Sequence, residues 1–304
     1  MSVIRRHRAI SLGIIGVIIV IAVAIGVYLY SSLTGSEYEE ESVAEREITR
    51  LEELVSENPF NSNLRLELAD YYVYESDYGK AIEQIEAVLM QNEDDEVALW
   101  MLGSIYVKQG DYEDALESYL KVVELNKDNP MKALNDTLKS VQYNLGVIYI
   151  EIGQPENAIE PLNENVSTDN RDADSRYMLG RAYQEMGEYE QAVEYYKEAV
   201  RRVLNFKEAY EMMVICYEEL GDDNGVLYAE AMVGYCSGLY AEAVEDLEQV
   251  VTIDPTFVEA QLGLALSYEE INEVEAAIQV YETVIALEPE NMVASGRLKR
   301  LKGV

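Results

Sequence analysis

The feature that most constrains this chain is self-similarity at an interval of about 34 residues. Leu102-Gly103, Tyr106, Gly110-Asp111-Tyr112 and Ala115 recur as Leu179-Gly180, Tyr183, Gly187-Glu188-Tyr189 and Ala192. Leu145-Gly146, Tyr149, Gly153 and Ala158 repeat the pattern. So do Ala69, Tyr72, Tyr78 and Ala81, and again Ala265, Tyr268 and Ala277. Small residues at fixed places let two helices cross closely, and a large ring beside them fills the space left over. A glycine at the junction supplies the left-handed conformation that ends a helix. No such unit buries its own apolar face, so only stacked units are stable.

This spacing resembles the tetratricopeptide repeat, a helix–turn–helix unit of 34 residues, over nearly everything after residue 42. The resemblance implies an all-α fold: an α-α superhelix, or solenoid, of about six to seven repeats. Units start near Ser62, Glu96, Lys139, Ala173, Lys207, Asn224 and Val258. Gly or Ala stands at the eighth position, Ala at the twentieth, and Gly110, Gly153, Gly187, Gly221 and Gly238 at the fifteenth. Pro59, Pro255 and Pro289 stop the helices before them. Ser42 to Glu57 is expected to cap the start. Met292 to Leu301, with Arg297, Lys299, Arg300 and Lys302, is expected to cap the end.

Two departures from strict period stand out. Nine extra residues fall around Pro130 to Leu138. Met131, Leu134, Leu138, Val141, Leu145 and Ile148 follow at helical steps after Asn129-Pro130, which predicts one helix lengthened by about two turns and projecting from the array. An ordinary structured loop is the alternative. Asn224 lies half a unit after Lys207. An odd number of helices there would turn or kink the stack; a degenerate repeat is the other reading.

Ala9 to Tyr30 holds no charge over 22 positions. As a helix it would measure about 33 Å, enough to cross a hydrocarbon core of about 30 Å. Arg5, Arg6 and Arg8 precede it and Glu37, Glu39, Glu40 and Glu41 follow. The positive-inside bias puts the N-terminus in the cytoplasm and the rest across the cell membrane. The expected organisation is a basic tail (1–8), one transmembrane helix (9–30), a linker (31–41) and the repeat domain (42–304). A cleaved secretory signal competes, but the run is long for one and no A-x-A site follows.

With 23 Lys+Arg against 58 Asp+Glu the net charge is −35, and every acid lies after residue 36, so phosphate is repelled and nucleic acid is not an expected partner. The one histidine, His7, sits in the basic tail, which removes imidazole catalysis and His-based metal sites from the repeats. No nucleophile triad, phosphate-binding glycine loop or metal-spaced ligand set appears, and neither an enzyme nor a cofactor is expected. Acid runs such as Glu93-Asp94-Asp95 lack the spacing of a calcium loop. Cys216 and Cys236, on helices paired about a turn near Asp222, stand too far apart along the helix for a disulfide and are expected to be buried free thiols. Asn135-Asp136-Thr137 and Asn165-Val166-Ser167 match the glycosylation pattern.

In the resembled family the first helices line a groove that receives a peptide or helix, with positions two, five, nine, twelve and thirteen facing it. The fifth positions here are Leu66, Trp100, Tyr143, Tyr177, Glu211, Tyr228 and Leu262. Leu66, Trp100, Met101, Tyr143, Asn144, Tyr177 and Arg181 are the candidate partner-binding residues, an apolar and aromatic stripe beside many acids; ordinary repeat packing would explain the same residues. Arg181 is expected to pair with Glu185 one turn on. The Lys and Asn clamp that some members use for terminal carboxylates is absent: Leu66 stands with Asp70, Trp100 with Ser104, Tyr143 with Val147. A protein or peptide with basic and apolar segments is therefore the expected partner. The layout resembles anchored envelope proteins of bacteria, whose roles include scaffolding and receiving chains from the export channel.

Overall fold

The computed structural model describes residues 42–303; the basic tail, the apolar run 9–30 and the linker lie outside the described residues. Within them every regular element is helical, and no helix is long and apolar enough to cross a membrane. The helices are α1 (Val43–Glu57), α2 (Ser62–Tyr74), α3 (Tyr78–Leu89), α4 (Glu96–Gln109), α5 (Tyr112–Leu125), α6 (Asp136–Glu151), α7 (Pro155–Thr168) and α8 (Ala173–Glu185). Then follow α9 (Tyr189–Val200), α10 (Lys207–Leu220), α11 (Asp223–Cys236), α12 (Tyr240–Ile253), α13 (Val258–Glu270), α14 (Val274–Leu287) and α15 (Met292–Lys302).

Local chemistry sets these boundaries. Ser42 and Glu45 form a capping box at the start of α1. Asn61, Asp95, Asn135, Asp172, Asp222 and Asn291 each accept a backbone N–H at the start of a helix. The fifteenth position of every unit has positive φ: the five predicted glycines, and also Ser76 and Asn272, both at φ 63°. The turn therefore forms even where glycine is missing, and the register of all seven units is visible in the backbone.

The described chain falls into two compact units that divide inside α3, between Gln84 and Ile85. In the first, α1 packs on α2 around Leu51, Val55, Leu68, Ala69 and Tyr72, and the Tyr72 hydroxyl donates to Glu52 at 2.5 Å. The second is a stack of hairpins: α4 with α5, α6 with α7, α8 with α9, each packed on the next. At each crossing a glycine meets a large side chain. A Cβ on Gly103, Gly146 or Gly180 would stand 2.5 Å from Tyr119, Leu162 or Tyr196. All three partners are fully buried.

The odd helix is real, and it has a consequence. α11 packs against α10 as the second helix of that hairpin, and against α12 as the first of the next. The crossing is inverted: Gly225 on α11 meets Tyr217 on α10, and Gly263 on α13 meets Met232 on α11. The row of adjoining first helices, α4, α6, α8 and α10, therefore gives way to another, α11 and α13. Two charged residues of α15, Arg297 and Arg300, pair with Glu269 across this second row.

The lengthened helix before Val141 is not present. The helix starts at Asp136, and residues 126–135 form the structured loop, with a 3₁₀ turn at Lys132–Leu134. Asparagines stop the helix from extending backward. Asn129 Oδ1 takes the Met131 N–H at 2.9 Å, and Asn135, in an extended conformation, caps Leu138 N at 3.1 Å. Asn135 also donates to Glu96 (2.7 Å) and to the buried Asn126 (3.0 Å), tying the loop to α4 and α5. Met131 and Leu134, whose spacing suggested a helix, are 60% and 71% exposed.

Candidate functional site

Trp100, Tyr143 and Tyr177 sit at the same turn of three adjoining first helices, α4, α6 and α8. Each leans on the core beneath it. Trp100 packs on the cluster of Leu99, Tyr119, Leu138 and Val141, while Tyr143 and Tyr177 share the one of Ile150, Leu162, Met178 and Leu179. Each residue stays half-buried.

Trp100, Tyr143 and Asn144 line a concave cleft of about 380 Å³ together with Lys139, Ser140, Asn165, Asp172, Asp174 and Ser175. Tyr177 does not line it. Its ring lies 5.1 Å from Phe206 and 5.6 Å from Tyr196, center to center. Arg181 pairs with Glu151 at the end of α6 at 3.5 Å, rather than with Glu185 as expected. The cross-helix partner wins because the groove brings the end of α6 beside α8. Met101 is only 9% exposed, which takes its side chain off the surface. Leu66 lies half-buried on α2, in the first unit. Tyr228, also at a fifth position, is buried between Tyr210 and Phe257, because α11 is enclosed by its two hairpin partners.

The field of this face is negative. Burial first, then Asp174 and Asp172, raise the Tyr143 phenol, against the pull of Arg181. Burial first raises Tyr177 as well; Arg181 lowers it, and Glu208 and Glu211 raise it. Of the cations nearby, Lys139 faces Asp136 at 3.5 Å and Lys207 faces Glu211 at 3.5 Å. Two polar atoms at the cleft, the Trp100 indole N–H and the Asn165 amide oxygen, are buried with no hydrogen-bond partner among the described residues. Such groups are costly unless something answers them. Asp174 and Ser140 stand at second positions of their units, so the groove rule itself would have found them; Asn165, from a second helix, carried no such signal.

The two sequons fit the fold poorly as modification sites. Asn165 is buried and its Nδ2 donates to the Lys139 carbonyl at 2.9 Å; Asn135 is the helix cap described above. Both cysteines are free, Cys216 buried and Cys236 half-buried. Among the described residues no group of three His, Cys, Asp or Glu side chains could hold a metal ion.

Comparison with curated proteins finds no match. Among solved structures, a tetratricopeptide repeat protein from Parabacteroides merdae is similar at 16% identity and TM-score 0.50, over 84% of this chain and 91% of that one. MamA (41-end) from Desulfovibrio magneticus RS-1 is similar at 19% identity and TM-score 0.51, over 60% of this chain and 96% of that one. At such identities the likeness is one of fold. Family profiles described as tetratricopeptide repeat match residues 66–130, 140–166, 173–202 and 237–301, leaving the odd helix outside the matched ranges. With matched hairpins on either side of that helix, the chain belongs to the tetratricopeptide repeat family.

Proposed function

We propose that this protein is a membrane-anchored scaffold that holds a segment of another protein on the α4–α6–α8 face. Residues 9–30 are the anchor, the N-terminus is cytoplasmic and the repeats work on the extracytoplasmic side. Confinement to the membrane plane raises the effective concentration of the scaffold near membrane-bound partners. It acts by binding, without catalysis or a cofactor. The observation that carries this reading is the cleft itself: Trp100 and Tyr143 form aromatic walls, while Asp172 and Asp174 stand beside them. That combination suits an apolar segment with a basic residue, the partner chemistry expected from the charge balance.

Crosslinking and capture from membranes tests it. One stoichiometric partner should be recovered, and Trp100→Ala or Tyr143→Ala should weaken its binding by about tenfold or more, as anchor residues do. Far-UV circular dichroism should not change. Undiminished binding by both variants refutes the assignment of the face, and capture of many unfolded exported chains refutes a dedicated partner in favor of a chaperone-like role. Protease added to spheroplasts should digest the repeats; protection would refute the orientation.

A further inference from the structure

Helix α6 has a second concavity on its other side. Its Lys139, Ser140, Tyr143 and Asn144 face the groove cleft, whereas Leu138, Gln142, Leu145 and Tyr149 line a separate cleft of about 520 Å³ between α5, α6 and α7. This volume lies within the range of about 300–1,000 Å³ typical of ligand pockets. The cleft exists because the loop 126–135 holds α5 off α6: these two helices pack less fully than α7 on α8 or α9 on α10. Apolar surface that the next hairpin would ordinarily cover is left open. The floor is Leu120, Val123, Leu138, Leu145, Tyr149 and Pro161, and Leu120 remains 46% exposed.

Two further observations say what would fill it. Gln142 lines the cleft, is only 7% exposed, and makes no side-chain hydrogen bond among the described residues. Its amide offers both a donor and an acceptor, the complement of a peptide group. On α7, Glu156 and Glu160 lie one turn apart on the cleft wall with no ion-pair partner among the described residues. The other charges at the cleft are already matched: Lys132 with Glu164 at 2.6 Å, and Lys127 with Glu124 at 3.5 Å.

We infer that this cleft is a second protein-binding site, separate from the groove, whose occupant is a short apolar peptide segment carrying one lysine or arginine. Apolar side chains cover the floor, a backbone amide pairs with Gln142, and the cation meets Glu156 and Glu160. A second copy is a poor occupant, since a chain of net charge −35 would add its own carboxylates to two that are unanswered.

Methyl NMR of the full chain in a lipid nanodisc tests this. The probes are an acetylated, amidated pentapeptide of four leucines around a central lysine, and the same peptide with a central glutamate. The lysine peptide should shift the methyls of Leu120, Val123, Leu138 and Leu145. The glutamate peptide should bind more weakly. Glu156→Gln combined with Glu160→Gln should weaken the lysine peptide about three- to tenfold, the range of one or two partly exposed ion pairs. Both glutamates are exposed, so the variant keeps its fold. Asp174→Asn, an exposed residue that lines only the groove cleft, should leave this binding unchanged, which separates the two sites. The inference is overturned if millimolar lysine peptide leaves these methyls in place, if both peptides bind equally, or if Asp174→Asn abolishes the shifts. Shifts that depend on protein concentration without peptide would assign the cleft to a second copy and overturn it too.

Discussion

Gly180 gives the sharpest test of how the groove is held. It lies on α8 three residues after Tyr177 and next to Arg181. A Cβ there would stand 2.5 and 2.6 Å from two ring carbons of Tyr196, whereas ordinary contact begins at 3.4 Å. The helices must therefore separate by several tenths of an ångström, or the ring must turn. The ring is fully buried, bonded through its hydroxyl to Gln184 at 2.7 Å, and packed beside Tyr177. Overpacking of this kind costs about 1–3 kcal/mol. Helix propensity works the other way, favoring Ala by about 1 kcal/mol. Gly296 on α15 isolates the second effect, because nothing lies within 4 Å of its added Cβ. Gly296→Ala should thus raise stability by about 0.5–1 kcal/mol, with Gly180→Ala falling about 1–3 kcal/mol below it. Urea unfolding followed by circular dichroism measures both, and amide exchange in α8 and α9 localizes the loss, since a repeat array need not unfold as one. If Gly180→Ala stabilizes as much as Gly296→Ala, the crossing is not close-packed and the argument fails.

Ser76 occupies left-handed backbone without being glycine, a conformation that costs an L-residue about 1–2 kcal/mol. Part of that is offset by the entropy of an added glycine, so Ser76→Gly should stabilize by about 0.5–1 kcal/mol in urea. Asn272→Gly should gain less, because Asn tolerates this region; a loss at Ser76 would refute the turn geometry. Burial pushes the Cys216 thiol from its ordinary value of 9.0 up to about 12. The folded state thus favors the neutral form, and this contribution to stability is complete below pH 9 and is lost as pH climbs toward 12. Iodoacetamide at pH 8 should label Cys216 far more slowly in the native chain than in urea; equal rates would refute its burial.

Much of this fold could be read directly from residue order. The periodic Leu-Gly, Tyr and Ala positions placed the hairpins, and the half-unit spacing at Asn224 marked the irregular place while leaving an odd helix and a degenerate repeat both open. The loop at Pro130 was harder. Met131 and Leu134 fit a helical period as well as core residues do, and only the Asn126, Asn129 and Asn135 bonds show that the chain turns there instead. The groove rule selected Trp100 and Tyr143, which share one cleft; of the neighboring residues taken with them, Asn144 lines that cleft too, but Met101 is buried. It could not find Asn165, whose part in the cleft depends on how α7 lies against α6 and α8.

Helix starts and stops, and the left-handed turn in each unit, depend on side chains within a few residues of the backbone they satisfy, so neighbors in sequence suffice to specify them. The partner of Arg181, the enclosure of Tyr228 and the opening between α5 and α6 depend on the distance between helices far apart in the chain. Those distances come from how Tyr119, Leu162 and Tyr196 seat against their glycines and from the loop that wedges α6 away. A periodic pattern names which face of a helix is apolar; packing determines whether that face is covered, shared or left open.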